Sequence, residues 1–537
     1  MTSPSPTPRS RRAVPAGVLG LVAATALVLS GCFPTPTAET EKDQGGSGTT
    51  SSGAPVAPEG IFAEEAMAEY VSQELQWDDC QDLDNHGTKL ECATLKAPLD
   101  YEDPAKGNIE VVMARTMPAG NSAPSRHLLT NPGGPGSSGV DFLSWAADNV
   151  FSHEMNEEFR LTSFDPRGVQ RSTPVRCLTD EQIDEQRAEP QSDPQDLDWD
   201  QALREAEEEV ESCREKSGPI VDHMDTVSAA HDMELMRLVL GQEKLDYLGF
   251  SYGTALGSRY AELFPTHVGA MVLDGGMDPS LSGRELSAQQ MEGFVSATRD
   301  WASYCINEAD DCPFTGSVDD ALKDIQQRLE SLDESPVTSG GRTVNGVTWL
   351  DGFIVPLYDK DMWPTLVDAY RQDAVDGSPA MMLQLADLNY DRNPDGTYAS
   401  NLVQAFAAVN CADYGGPAFK DELVGDYRAL TEASPLFGRY FISTSLFCTA
   451  WPHQAENAPS AVKAAGSPDI VVVGTTGDPA TPYRWSQALA EQLENGTLVT
   501  YEGFGHTAYG KSNCVDAAIE GFLIDGTVPA DGKTCQS

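Results

Sequence analysis

The sequence is poor in positive charge: 35 Lys and Arg face 83 Asp and Glu, a formal net charge of −48. So large an acidic excess argues against nucleic acid or an anionic membrane surface as a partner of the folded part, and fits a solubilising surface. No Cys-x-x-Cys pair occurs among the 11 cysteines, so neither a zinc ribbon nor a thioredoxin-type redox motif is encoded. The Gly-rich stretch after His127 is not followed by Gly-Lys-Ser/Thr, which excludes a P-loop. There is no internal repeat, and the apolar run from Ala13 to Leu29 is short for a spanning helix.

That run follows Arg9, Arg11 and Arg12 and ends in Leu29-Ser30-Gly31-Cys32, the layout of a secretory signal. The tetrapeptide resembles the lipobox of bacterial lipoproteins. The resemblance implies a signal over 1–31, a lipidated Cys32 as mature N-terminus, and a chain anchored to the outer face of the cell membrane through lipid alone; plain secretion is the alternative. Residues 32–58, rich in Pro, Gly, Ser and Thr, form a tether. Setting Cys32 aside leaves Cys80, Cys92, Cys177, Cys213, Cys305, Cys312, Cys411, Cys448, Cys514 and Cys535. An even set in an exported chain predicts disulfides, with sequential pairing the simplest arrangement.

The body of the chain, 537 residues long in all, alternates strand and helix signals, which predicts a mostly parallel α/β sheet covered on both faces. The first part spans 59–279. From 280 to 455 the rhythm becomes helical, as in Met291, Phe294, Val295, Thr298, Trp301, Ala302 and Cys305, three and four apart; this predicts an inserted helical cap. Strands return over 456–537.

The chemistry centres on Lys244 to Pro265, where a strand and a helix flank Gly249-Phe250-Ser251-Tyr252-Gly253. G-x-S-x-G between strand and helix is a nucleophile elbow, with the serine on a strained turn that small neighbours permit. A serine hydroxyl needs a base, and the base a carboxylate, in the order Ser, acid, His for this arrangement. Among histidines after Ser251, His267 sits at the end of the elbow helix and His453 has no strand before it, whereas His506 follows a strand in a Gly-His-Thr loop. Asp478, at the exit of the apolar strand IVVV, is the favoured carboxylate; Asp274, at an earlier strand exit, is its rival. The loop Asn131-Pro132-Gly133-Gly134-Pro135-Gly136 lets backbone amides approach an oxyanion.

GGPG, DPRG, GFSYGT, GDPATP and GHT together resemble the α/β-hydrolase peptidases that include proline iminopeptidase and, more closely, secreted actinobacterial tripeptidyl aminopeptidases; mycobacterial envelope hydrolases called carboxylesterase or protease are similar too. The resemblance implies Ser251 as nucleophile, His506 as base, Asp478 as its orienter, and the Gly134 and Tyr252 amides as oxyanion hole, with no metal or organic cofactor. Two departures stand out: Asn131 where the iminopeptidase loop has His, and Gln170 where glycine is usual. An exopeptidase also needs a carboxylate for the substrate's ammonium, and Asp413 in the cap is the candidate. The expected activity is release of short peptides, tripeptides foremost, from free N-termini. The alternatives are a carboxylesterase and, from another class, a non-catalytic solute-binding lipoprotein.

Overall fold

The computed structural model describes residues 57–80, 83, 87–117, 125–190, 193–196, 198–416, 419–441, 445–452 and 459–536; the signal, Cys32, most of the tether and His453 lie outside them. Twelve strands are present among these residues: β1 (Asp78–Asp79), β2 (Leu90–Pro98), β3 (Asn108–Thr116), β4 (His127–Asn131), β5 (Arg160–Phe164), β6 (Leu245–Phe250), β7 (Val268–Asp274), β8 (Val337–Ser339), β9 (Arg342–Val344), β10 (Ile470–Gly477), β11 (Gly496–Phe504) and β12 (Lys533–Gln536). Ten form one sheet in the order β1-β2-β3-β5-β4-β6-β7-β10-β11-β12, parallel from β5 to β12 and antiparallel at the β1-β2-β3-β5 edge. β8 and β9 form a separate hairpin.

Side-chain alternation places the two cores. Tyr247, Met271, Leu273, Ile470 and Val472 face one layer of helices, and Leu248, Val272, Val471, Val473 and Val499 face the other. Both sets are buried, which is why these strands are near-continuous apolar runs rather than alternating ones. This is the α/β-hydrolase fold. A third cluster, built around Trp301, Trp349, Phe353, Trp363 and Tyr370, belongs to the helical segment between β7 and β10. The helix Leu402–Tyr414 lies within that segment, yet its Ala405, Ala408, Val409 and Ala412 pack into the sheet body.

The ten cysteines named above pair as Cys80–Cys92, Cys177–Cys213, Cys305–Cys312, Cys411–Cys448 and Cys514–Cys535. Among the described residues, no helix is long and apolar enough to cross a membrane.

The Arg of Asp165-Pro166-Arg167-Gly168 is buried against Asp232: Nη2 donates to Oδ1 at 2.7 Å and Nε to Oδ2 at 2.8 Å. Tyr101 Oη donates to the same carboxylate at 2.9 Å, and Nη1 of Arg167 donates to the carbonyls of Leu99 and His223. One guanidinium thus ties the strand edge to the helix Thr226–Val239 that precedes β6. Replacing it leaves a buried carboxylate without its cation, so Arg167→Leu is expected to cost about 3–5 kcal/mol. Denaturant unfolding checks this; a loss below about 1 kcal/mol, the scale of an exposed pair, would refute it.

Candidate active site

Strands β4, β6, β7 and β10 all end at one edge of the sheet, the crevice where parallel α/β folds place their ligands. At that edge Ser251 has φ 56° and ψ −124°, a conformation that costs a non-glycine residue about 1–3 kcal/mol. The turn is held because Ser251 N–H donates to the Asp274 carbonyl at 2.9 Å and Thr254 N–H donates back to the Ser251 carbonyl at 2.8 Å. The glycines around it are required by close approach. A Cβ on Gly249 would stand 2.4 Å from the Gly253 carbonyl oxygen, and one on Gly253 2.6 Å from that of Asn131. The helix Tyr252–Leu263 starts at the serine and directs its positive end there.

The Gly-rich loop lies directly over the elbow. Gly133 and Gly134 have φ of 98° and 107°, and a Cβ on Gly133 would meet Ser251 Cβ and Tyr252 N at 2.9 Å. Asn131, where the iminopeptidase loop has His, turns this loop by accepting the Gly133 N–H at 2.9 Å. Gln170, at φ 43°, donates its N–H to Asn401 and its amide to the Ala399 carbonyl, so it fastens one loop to another.

His506 and Asp478, 28 positions apart, meet: Nδ1 lies 2.9 Å from Oδ2 and 3.0 Å from Oδ1. Both residues are buried. Burial by itself would raise the Asp478 carboxyl, but the His506 charge and bond, with the Thr481 and Thr507 N–H donors, hold it below the ordinary carboxylate value. The site thus keeps an ionised acceptor on Nδ1, which leaves Nε2 as the nitrogen able to take a proton. Gly275 joins the two halves. A Cβ there would lie 3.5 Å from His506 Cε1, while the preceding Asp274 carbonyl holds Ser251. Among the described residues no cluster of three His, Cys, Asp or Glu is placed to hold a metal.

Sequence reasoning overlooked two neighbours of this pair. Thr481 Oγ1 donates to Asp478 Oδ2 at 3.0 Å, a contact encoded by the Asp-x-x-Thr spacing within GDPATP. Tyr358, from the cap, accepts the His506 N–H on its carbonyl at 2.8 Å and sets its ring edge-on to the imidazole at 5.5 Å. The rival aspartate, Asp274, is not on the imidazole; its carboxylate accepts the Ala508 N–H at 3.0 Å and the Tyr509 N–H at 2.8 Å, just past His506. Of the other histidines, His267 pairs with Glu234 at 3.0 Å at the far end of the elbow helix.

A cavity of about 450 Å³ opens from Ser251 and Gly134 into the cap, lined among others by Trp485, Phe406, Tyr414, Arg284, Glu422 and Asp426. Glu422, Leu423, Asp426 and Leu430 come from one face of the helix Lys420–Ala433. Asp426 pairs with Arg284 at 2.9 Å. Asp413 does not line this cavity. Its Oδ1 accepts the Thr226 N–H at 2.8 Å and its Oδ2 the Thr226 hydroxyl at 2.5 Å, so the carboxylate proposed from the sequence for the substrate amine meets Thr226 here.

The serine protease Hip1 of Mycobacterium tuberculosis is 34% identical over 486 residues, covering 87% of this chain and 91% of Hip1. The chain belongs to the Hip1 family of α/β-hydrolase serine hydrolases. Carboxylesterase B of Mycobacterium tuberculosis is also 34% identical, over 479 residues, with the same coverage of 87% and 91%. The tripeptidyl aminopeptidase of Streptomyces lividans is 27% identical over 482 residues, 88% of each chain. A family model described as TAP-like protein matches residues 434–535, the stretch that carries Asp478 and His506.

Asp274→Asn tests how the His506 loop is held in this hydrolase. The amide would set an N–H2 group against the Ala508 or Tyr509 N–H and let the imidazole move, and misplacement on the order of 1 Å costs about a hundredfold. The expected loss in kcat/KM on a chromogenic ester is of that order. A change under about threefold would remove Asp274 from the positioning of the loop.

Proposed function

We propose that this chain is an exported serine peptidase that releases short peptides, tripeptides foremost, from free N-termini through an acyl-enzyme on Ser251. The observation that carries the reading is the His506–Asp478 pair, set beside Gly275 at the sheet edge where the strained Ser251 turn opens into a capped cavity. Ser251 Oγ attacks the scissile carbonyl while His506 Nε2 takes its proton. Asp478 stabilises the imidazolium, and the Gly134 and Tyr252 amides receive the oxyanion. His506 then protonates the departing amine, and water repeats the sequence on the ester.

Counting from the amine end falls to the cap. Glu422 and Asp426 line the cavity, and a carboxylate at its far wall would pair with a substrate ammonium and fix how many residues fit before Ser251. The family relation to a tripeptidyl aminopeptidase supports the tripeptide length. Membership in a hydrolase family replaces the solute-binding alternative, whereas the equal identity to Carboxylesterase B supports ester cleavage as the second reading. Export with lipidation at Cys32 rests on the basic-apolar N-terminus and its Leu-Ser-Gly-Cys stretch, and five disulfides suit an oxidising compartment.

Ser251→Ala is expected to remove turnover by about 10⁶-fold and to abolish fluorophosphonate labelling, with the fold retained. Mass analysis of a peptide library should show tripeptides leaving from free amines and N-acetylated peptides spared. Glu422→Gln and Asp426→Asn should each narrow that preference. Cleavage at internal bonds regardless of the amine, or an ester kcat/KM far above that of a tripeptidyl anilide, would overturn the peptidase reading.

A further inference from the structure

We propose that Asp413 is a positioning residue for the oxyanion hole: through Thr226 it anchors the side chain of Tyr252, whose backbone N–H is one of the two donors. The inference rests on the oxyanion assignment of the preceding section. Thr226 Oγ1 lies 2.6 Å from Tyr252 Oη and donates to Asp413 Oδ2 at 2.5 Å. The threonine has one hydroxyl hydrogen, so with that hydrogen on Asp413 the tyrosine must supply the other bond. The chain therefore runs in one direction, Tyr252 to Thr226 to the Asp413 carboxylate, and is charge-assisted at its end. The Thr226 N–H, donating to Asp413 Oδ1 at 2.8 Å, fixes the carboxylate in place.

Tyr252 stands immediately after the strained Ser251, at the first position of its helix, and is buried. Tethering its ring holds the one residue whose backbone must both terminate the left-handed turn and present a donor. Asp413 itself is carried on the helix Leu402–Tyr414, held by the Cys411–Cys448 disulfide. The other end of that helix touches the second donor segment: a Cβ on Gly136 would lie 2.8 Å from the Leu402 carbonyl oxygen and 2.9 Å from Phe406 N. One cap helix therefore braces the Gly134 loop at its start and Tyr252 at its end, while its Phe406, Asn410 and Tyr414 line the cavity.

Burial pushes the Asp413 carboxyl up to about 7, opposed by the Thr226 bonds. The charged and titratable groups facing it are Asp225, which raises it further, Arg259, which lowers it, and the phenols of Tyr252 and Tyr414. Protonation as pH falls through that value removes the charge from the end of the chain, so the donor is held less firmly on the acid side.

The test is steady-state kinetics of the full chain on a tripeptidyl anilide across pH, with fluorophosphonate labelling of each variant. Asp413→Asn, Thr226→Val and Tyr252→Phe are each expected to lower kcat about tenfold with KM little changed, the scale of one charge-assisted hydrogen bond. Thr226→Ser, which keeps the hydroxyl, should restore kcat. The component of the kcat profile centred near pH 7 should vanish in Asp413→Asn. Tyr252→Phe removes a single oxygen and carries the test should Asp413→Asn fold poorly. Wild-type kcat and pH profile in the variants would overturn the inference. So would a rise in KM for free-amine peptides alone, which would return Asp413 to binding the substrate ammonium. A wild-type protein that fails to label at Ser251 would instead sink the reading it rests on.

Discussion

The structure hangs on Asp274, the last residue of a buried parallel strand. Its carbonyl accepts the N–H of the strained Ser251, and its carboxylate accepts two N–H groups just beyond His506. Two loops about 255 residues from one another in sequence are thereby referred to one rigid point. A residue at φ 56° persists only where its surroundings over-determine it. Here the determinants are the flanking close-packed glycines, the helix that begins at the serine, and this backbone bond. The strain is thus stored in a turn whose neighbours cannot relax without losing contacts in the sheet itself.

The cap supplies what the sheet edge lacks. Its own aromatic core, with Trp301, Trp349 and Phe353 fully buried, makes it a packed body rather than a loop. Glu422 and Asp426 on the Lys420–Ala433 helix make the cavity wall they line acidic, the basis of the amine-counting role proposed above. The same cap reaches down to the catalytic histidine proposed above, since the Tyr358 carbonyl takes the His506 N–H.

Much of this was legible from residue order. The elbow, the strand exits and the Gly-His-Thr loop are local patterns whose strands and helices form where the periodicity puts them, Tyr252–Leu263 and Ile470–Gly477 among them. Strand ends in a parallel sheet converge on one edge, so a motif at a strand exit carries its own address. The cap behaved otherwise. Helical periodicity tells which face of Lys420–Ala433 is apolar but not what that face meets, and in the sequence Asp413 looks free to meet a substrate amine. The difference is a contact with Thr226, 187 positions earlier, which no local pattern encodes. Likewise the helix Leu402–Tyr414 has the composition of its cap neighbours, yet its small residues pack into the sheet body because Ala405, Ala408 and Ala412 permit close approach.

The two aspartates at adjacent strand exits show why a carboxylate's surroundings decide its task. Both are fully enclosed, and burial alone would raise both. Asp478 has the imidazole directly on it and stays below the ordinary value, so it remains an anion able to orient and stabilise an imidazolium. Asp274 meets only backbone N–H groups and is pushed up to about 6, a group suited to holding a loop but less able to hold a charge opposite itself. Exchanging their roles would require the histidine loop to leave the β10 exit for that of β7. The register of β7 against β10, with Val473 opposite Asp274, leaves one strand spacing between the two exits. The serine occupies the other side of β7, beyond Gly275, where a Cβ would lie 3.1 Å from both Thr481 Oγ1 and Thr507 Cγ2.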